Sequence, residues 1–183
     1  MTASIERTEK MGFFTLLAAS NRSREIPESS DLYGWLVGSW ELEVLHYAGA
    51  DLAGRGIKGE AHFGWVLEGR AIQDVWIMPR PSDRTPDLPK TNNMYGTTLR
   101  VWDPAIDAWR ITWVNPVSGH REQQIARRSG SDIVQLGTRS DGATTRWMYV
   151  AITPDSFHWT GEALAADGKT WKLEGEFRAR RMS

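Results

Sequence analysis

Apolar and polar residues alternate along most of this chain from residue 37 onward, and alternation marks strands, whose successive side chains point to opposite faces. Phe63, Trp65 and Leu67 fall on one face, with His62, Gly64 and Val66 on the other. Ile72, Asp74, Trp76 and Met78 repeat that spacing, as do Trp109, Ile111 and Trp113, and Trp171, Leu173 and Phe177. The pattern predicts ten strands, near 37–47, 55–68, 70–78, 94–103, 108–115, 119–128, 132–139, 145–152, 156–163 and 169–180. Turn chemistry separates them. Asp103-Pro104 and Asn115-Pro116 start turns, while Ser129-Gly130, Asp141-Gly142 and Asp167-Gly168 supply the positive φ of tight hairpins. No segment after residue 37 reads as a long helix, so parallel βαβ units are disfavoured.

The last segment is the most regular. Trp171, Leu173, Gly175, Phe177 and Ala179 share one face, and Lys172, Glu174, Glu176, Arg178 and Arg180 the other. So long an amphipathic strand needs partners on both edges, which favours closure onto the first strand. The expected fold is all-β: an antiparallel up-and-down meander barrel of about ten strands, with a short helical N-terminal extension. Residues 1–34 form that extension and 35–183 the barrel. Met11 to Ala19 reads as a helix packed on the barrel; Glu6 and Glu9 weaken a secretory-leader reading, and the run is too short to span a bilayer. Ser29 or Ser30 caps a brief helical turn through Asp31, Leu32, Trp35 and Leu36 that closes one barrel end. Residues 79–93 hold four prolines and break the sheet rhythm. They read as a lid, an arm to a second subunit in a homodimer, or a surface insertion.

Composition narrows the function. Lys plus Arg number 22 against 23 for Asp plus Glu, so no global field draws nucleic acid or a membrane surface. His120, Arg121, Arg127, Arg128 and Arg139 make a local basic patch that reads as solvated strand face. With no cysteine and four scattered histidines, a thiolate nucleophile is excluded and a metal site is not expected. The chain suits a reducing cytoplasm. Ten tryptophans, most on the apolar side of strands, suit the wall of a semi-polar cavity better than a dense aliphatic core.

The chain from Leu36 onward resembles the lipocalin-like barrels, the calycin group, and especially small bacterial members of unknown function. Leu36-Val37-Gly38-Ser39-Trp40 carries a G-x-W at the start of the first strand, and Leu67-Glu68-Gly69-Arg70 marks the second turn. Tyr95-Gly96-Thr97, Trp102-Asp103-Pro104 and Asp167-Gly168-Lys169-Thr170-Trp171 add to the likeness. The resemblance implies that Trp40 plugs the barrel base with a basic residue of the last strand across it, Arg178 or Arg180. Ten strands look more like the fatty-acid-binding and nitrobindin-type barrels than the eight-stranded secreted ones, so the lumen has room for a ligand. Nitrobindin-type proteins hold haem through a histidine near the C-terminus. Residues 169–183 contain none, and haem ranks below a cofactor-free lumen.

The expected function is binding of one small hydrophobic or aromatic molecule, lined by Trp40, Phe63, Trp65, Trp76, Trp109, Trp113, Trp147 and Trp159. The parity of Arg100 stays open between Leu99 and Trp102; turned inward, it would hold a ligand carboxylate. The alternative is a cofactor-free acid/base enzyme (lyase, isomerase, cyclase or decarboxylase) using Asp74, His46, His158 and Tyr149. Desolvation would move such groups toward neutral pKa values. Against that stands mutual satisfaction of the same groups inside a wet cavity. A mainly structural role with a filled lumen is a third reading.

Overall fold

The computed structural model describes residues 12–89 and 93–183. A five-residue helix α1 (Phe13–Leu17) leads into the two-residue strand β1 (Ala18–Ala19). There follow β2 (Gly38–Tyr47), β3 (Ala50–Asp51), β4 (Lys58–Val66), β5 (Ala71–Met78) and β6 (Met94–Asp103). The chain continues through β7 (Ala108–Asn115), β8 (His120–Ser129), β9 (Asp132–Arg139), β10 (Thr144–Val150), β11 (Ser156–Leu164) and β12 (Trp171–Arg181). Strands β4 to β12 pair antiparallel in chain order, and β2 pairs with both β12 and β4. The result is a closed ten-stranded meander barrel, with β1 added to β4 and β3 to β2.

Closure removes every long edge. It also creates two unlike ends. The turns after β4, β6, β8 and β10 lie at the base with the start of β2. Those after β7, β9 and β11 lie at the mouth. At the β4–β5 turn Leu67 and Glu68 adopt left-handed φ of 53° and 57°, so Leu67 leaves the alternation and stands exposed instead of facing the lumen.

The N-terminal segment seals the base. Two 3₁₀ turns, Glu28–Ser30 and Gly34–Leu36, drop Leu32, Tyr33 and Leu36 into the barrel end. The residue that steadies the entry to the second turn is Asp31, two positions before its N-cap Tyr33, and not Ser29 or Ser30: the Asp31 carboxylate accepts the backbone N–H groups of Tyr33 and Gly34. Helix α1, by contrast, buries nothing: Phe13, Phe14 and Leu16 are 70 %, 80 % and 61 % exposed, so the expected packing onto the barrel is not found. Met11 lies outside the described residues, as do 90–92 of the Pro-rich connection. No described helix is long and apolar enough to cross a membrane.

Two bulges re-aim side chains. Val44 faces Phe177 and His46 faces Glu176, leaving Leu45 as an extra residue in β2. Gly161 faces Gly175 while Glu162 faces Leu173, leaving Glu174 extra in β12. Each insertion flips the parity beyond it. Tyr47 therefore joins the cavity wall and His46 does not. Trp171, expected on the lumen face with Phe177, sits outside under the Arg146 guanidinium, 4.3 Å from its ring centre.

Candidate ligand-binding site

At the base, Gly38 has φ of +126°, and a Cβ there would come within 2.8 Å of Arg181 Nη1. The positive φ favours glycine, and the missing side chain leaves room for the Arg181 guanidinium. Arg181 lies over the Trp40 ring at 4.1 Å and donates from Nη1 to the Val37 carbonyl at 2.9 Å and from Nη2 to the Trp35 carbonyl at 2.7 Å. The basic residue crossing Trp40 is thus Arg181, not Arg178 or Arg180. It shares the inner parity of Phe177 and Ala179, whereas Arg178 and Arg180 point to solvent. The Trp40 indole donates to the Leu36 carbonyl at 2.7 Å and the Trp109 indole to the Ser30 carbonyl at 2.7 Å.

Above this plug lies a cavity of about 800 Å³ that opens at the mouth. Trp76, Trp113, Trp147, Trp159 and Phe177 form its aromatic wall. Trp147 and Trp159 meet at 5.3 Å between ring centres, Trp159 and Phe177 at 5.3 Å, and Trp113 and Trp147 at 6.0 Å. Small residues make that wall possible. The facing pair Gly161 and Gly175 lies under Trp159, where a Cβ at Gly161 would come within 2.6 Å of the ring, and Gly96 leaves room for Trp113 in the same way.

Arg100 turns inward and is 1 % exposed. It donates from Nη1 to Asp74 Oδ2 at 2.5 Å and from Nη2 to the Tyr149 hydroxyl at 3.0 Å. The rings of Tyr33 and Phe63 also lie near it, 5.1 Å and 5.5 Å from the guanidinium carbon. Both Asp74 oxygens accept hydrogen bonds: Oδ1 takes the Thr98 backbone N–H at 2.6 Å, and Oδ2 takes the Trp76 indole N–H at 3.0 Å besides Arg100. Burial is the strongest single influence and works against the Arg100 charge, but Asp74, Tyr149 and Tyr33 together outweigh it and the guanidinium pKa ends above the usual arginine value. Burial pushes the Tyr149 phenol up to about 12 against the opposing pull of Arg100. The phenol stays protonated.

Near the mouth a second polar group lies on the inner face of β8. Glu122 accepts the Thr145 hydroxyl at 2.7 Å and the Gln124 amide at 2.9 Å on Oε2, and its Oε1 meets His120 Nε2 at 2.7 Å. Arg139 bridges to Glu174 across the rim.

Of the residues marked by alternation, Trp76, Arg100, Trp113, Trp147, Trp159 and Tyr149 line the cavity. Trp40, Trp65 and Trp109 pack with the sealed end, because the N-terminal segment fills the space beneath them, and Phe63 sits behind Arg100 and Trp76. Of the acid/base candidates, Asp74 and Tyr149 are joined through Arg100, while His46 and His158 lie apart from them. Asp74 is paired with Arg100 and does not line the cavity, and the bulge removes His46 from the lumen. His158 lies on the outer parity of β11, where its Nε2 meets Glu176 at 2.7 Å. Sequence reasoning missed Glu122, His120 and Thr98 as lining residues: a polar residue on the inner parity carries no apolar signal.

No protein-family model matches this chain, and no curated protein matches it.

Proposed function

We propose that the protein is a lipocalin-like barrel that holds one small, largely apolar aromatic molecule in its lumen. The observation that carries this reading is an aromatic-walled cavity of about 800 Å³, sealed at one end by the Trp40–Arg181 plug and open at the other. That volume and lining match what small-molecule sites require. The reading needs no cofactor. Haem ranks below it: among the described residues His120 is the one histidine lining the cavity, and its Nε2 meets Glu122. Neither nucleic acid nor a membrane surface belongs to it.

Native mass spectrometry of freshly purified protein, compared with its denatured mass and combined with tryptophan-fluorescence titration of planar aromatic probes, tests it. The expected result is a co-purifying adduct or saturable 1:1 quenching. A clean apo mass with no quenching up to the solubility of every probe rejects the container, and a Soret band reinstates haem.

A further inference from the structure

The polar groups of the lumen are unevenly divided between donors and acceptors, and the imbalance bears on what the cavity binds. Near its floor the Arg100 Nε–H is buried and has no partner among the described residues. The Tyr149 hydroxyl already accepts Arg100 Nη2, so its own hydrogen is uncommitted. Higher up, the indole N–H groups of Trp113, Trp147 and Trp159 donate to no described residue, whereas that of Trp76 is spent on Asp74. Acceptors near the floor are fewer: Asp74 already takes three donors and does not line the cavity, Glu122 makes three hydrogen bonds with one lone pair left on Oε1, and the Thr98 hydroxyl can serve either way. Gln124 Oε1 and both polar atoms of Gln135 are unpartnered too, but these side chains do not line the cavity.

Charge sharpens the inference. A lone inward arginine would select a carboxylate, but Asp74 already occupies Arg100 Nη1 and neutralises it at 2.5 Å. An anionic ligand brought to this floor would meet an ion pair with no net charge and a carboxylate close by, and would lose its own hydration. A neutral acceptor meets neither cost. A carbonyl oxygen can take two hydrogens through its two lone pairs, and Tyr149 O–H and Arg100 Nε–H lie on adjoining, hydrogen-bonded side chains.

Resting on the container reading, we infer that the Arg100–Tyr149 floor is a donor site for the carbonyl oxygen of a neutral aromatic ketone or quinone. The aromatic body stacks on Trp159, Trp147 and Phe177, and Asp74 acts by holding Arg100 in place and cancelling its charge.

Equilibrium dialysis of three near-isosteric probes, fluorenone, fluorene and fluorene-9-carboxylate, tests the donor floor. Fluorenone is expected to bind roughly tenfold tighter than fluorene, the worth of one good buried hydrogen bond, with the carboxylate weakest. The infrared carbonyl stretch of bound fluorenone should fall below its value in hydrocarbon solvent. Tyr149→Phe should erase most of the fluorenone preference and leave fluorene affinity unchanged, which also certifies the variant's fold. If that variant loses both ligands, the wild-type affinity ratio and infrared shift decide. Equal affinity for fluorenone and fluorene overturns the donor floor while leaving the container standing. Tightest binding of the carboxylate overturns it in favour of a charged arginine site, and failure of all three probes to bind overturns both readings.

Discussion

Tryptophan is used in two ways within one barrel. At the base, the indole N–H groups of Trp35, Trp40 and Trp109 all end on backbone carbonyls of the N-terminal segment, at 2.8, 2.7 and 2.7 Å, and Arg181 covers Trp40. In the upper lumen, Trp113, Trp147 and Trp159 lean on one another and border open space. The first set holds a chain segment as a plug. The second has no described acceptor for its indole N–H groups and borders the cavity. Burial alone does not separate the two, since every one of these side chains except Trp35 is buried; hydrogen-bond satisfaction does.

The contrast is best broken by removing one indole from each set. Trp40→Ala should cost about 3–5 kcal/mol in urea unfolding, because it leaves a hole in packed surroundings and strips Arg181 of its platform. Trp147→Ala should cost about 1–2 kcal/mol, since one side of that ring borders the cavity and loses few contacts. Probe affinity should show the reverse order. Equal stability losses would mean that the lumen wall is as tightly packed as the base.

The next largest effect lies between the two regions. Arg100→Met alone leaves the Asp74 carboxylate buried without its cation, at an expected cost of about 3–5 kcal/mol. Adding Asp74→Leu should recover most of that loss. A double variant no more stable than the single one would assign the pair a packing role and not an electrostatic one.

The smallest effect is read with pH. The folded Tyr149 phenol, at about 12, binds its proton more tightly than an unfolded tyrosine, at about 10. The corresponding stability is fully present below about pH 10 and is lost as pH rises toward about 12, because only the unfolded chain releases the proton in that window. Urea midpoints between pH 9 and 11 should therefore fall, and less steeply in Tyr149→Phe. An unchanged slope in the variant would show that solvent reaches the phenol.

Strand positions and barrel closure were legible along the chain. The expected boundaries of β5, β6, β7 and β9 coincide with the observed strands to within a residue. Five of the ring-bearing and charged residues assigned to the lining by parity or as the inward option, Trp76, Arg100, Trp113, Trp147 and Trp159, do border the cavity. What parity could not carry was its own interruption. His46 and Trp171 follow the alternation of their strands, yet bulges at Leu45 and Glu174 place them outside the lumen, and an inserted residue in a strand has no side-chain mark of its own.

The physical division is between local and closed-sheet information. Alternation has a period of two residues and reports only on neighbours along one strand, so it sufficed for ten strands, their turns and the wealth of indole on one side. It could not say that Arg181 reaches Trp40, that Asp74 pairs with Arg100, or that residues 28–36 fill one end and leave the other open. Those facts join residues 26 to 141 positions apart. They exist only once β12 has closed on β2 and the twist and bulges of the sheet have set which side chains meet across the barrel.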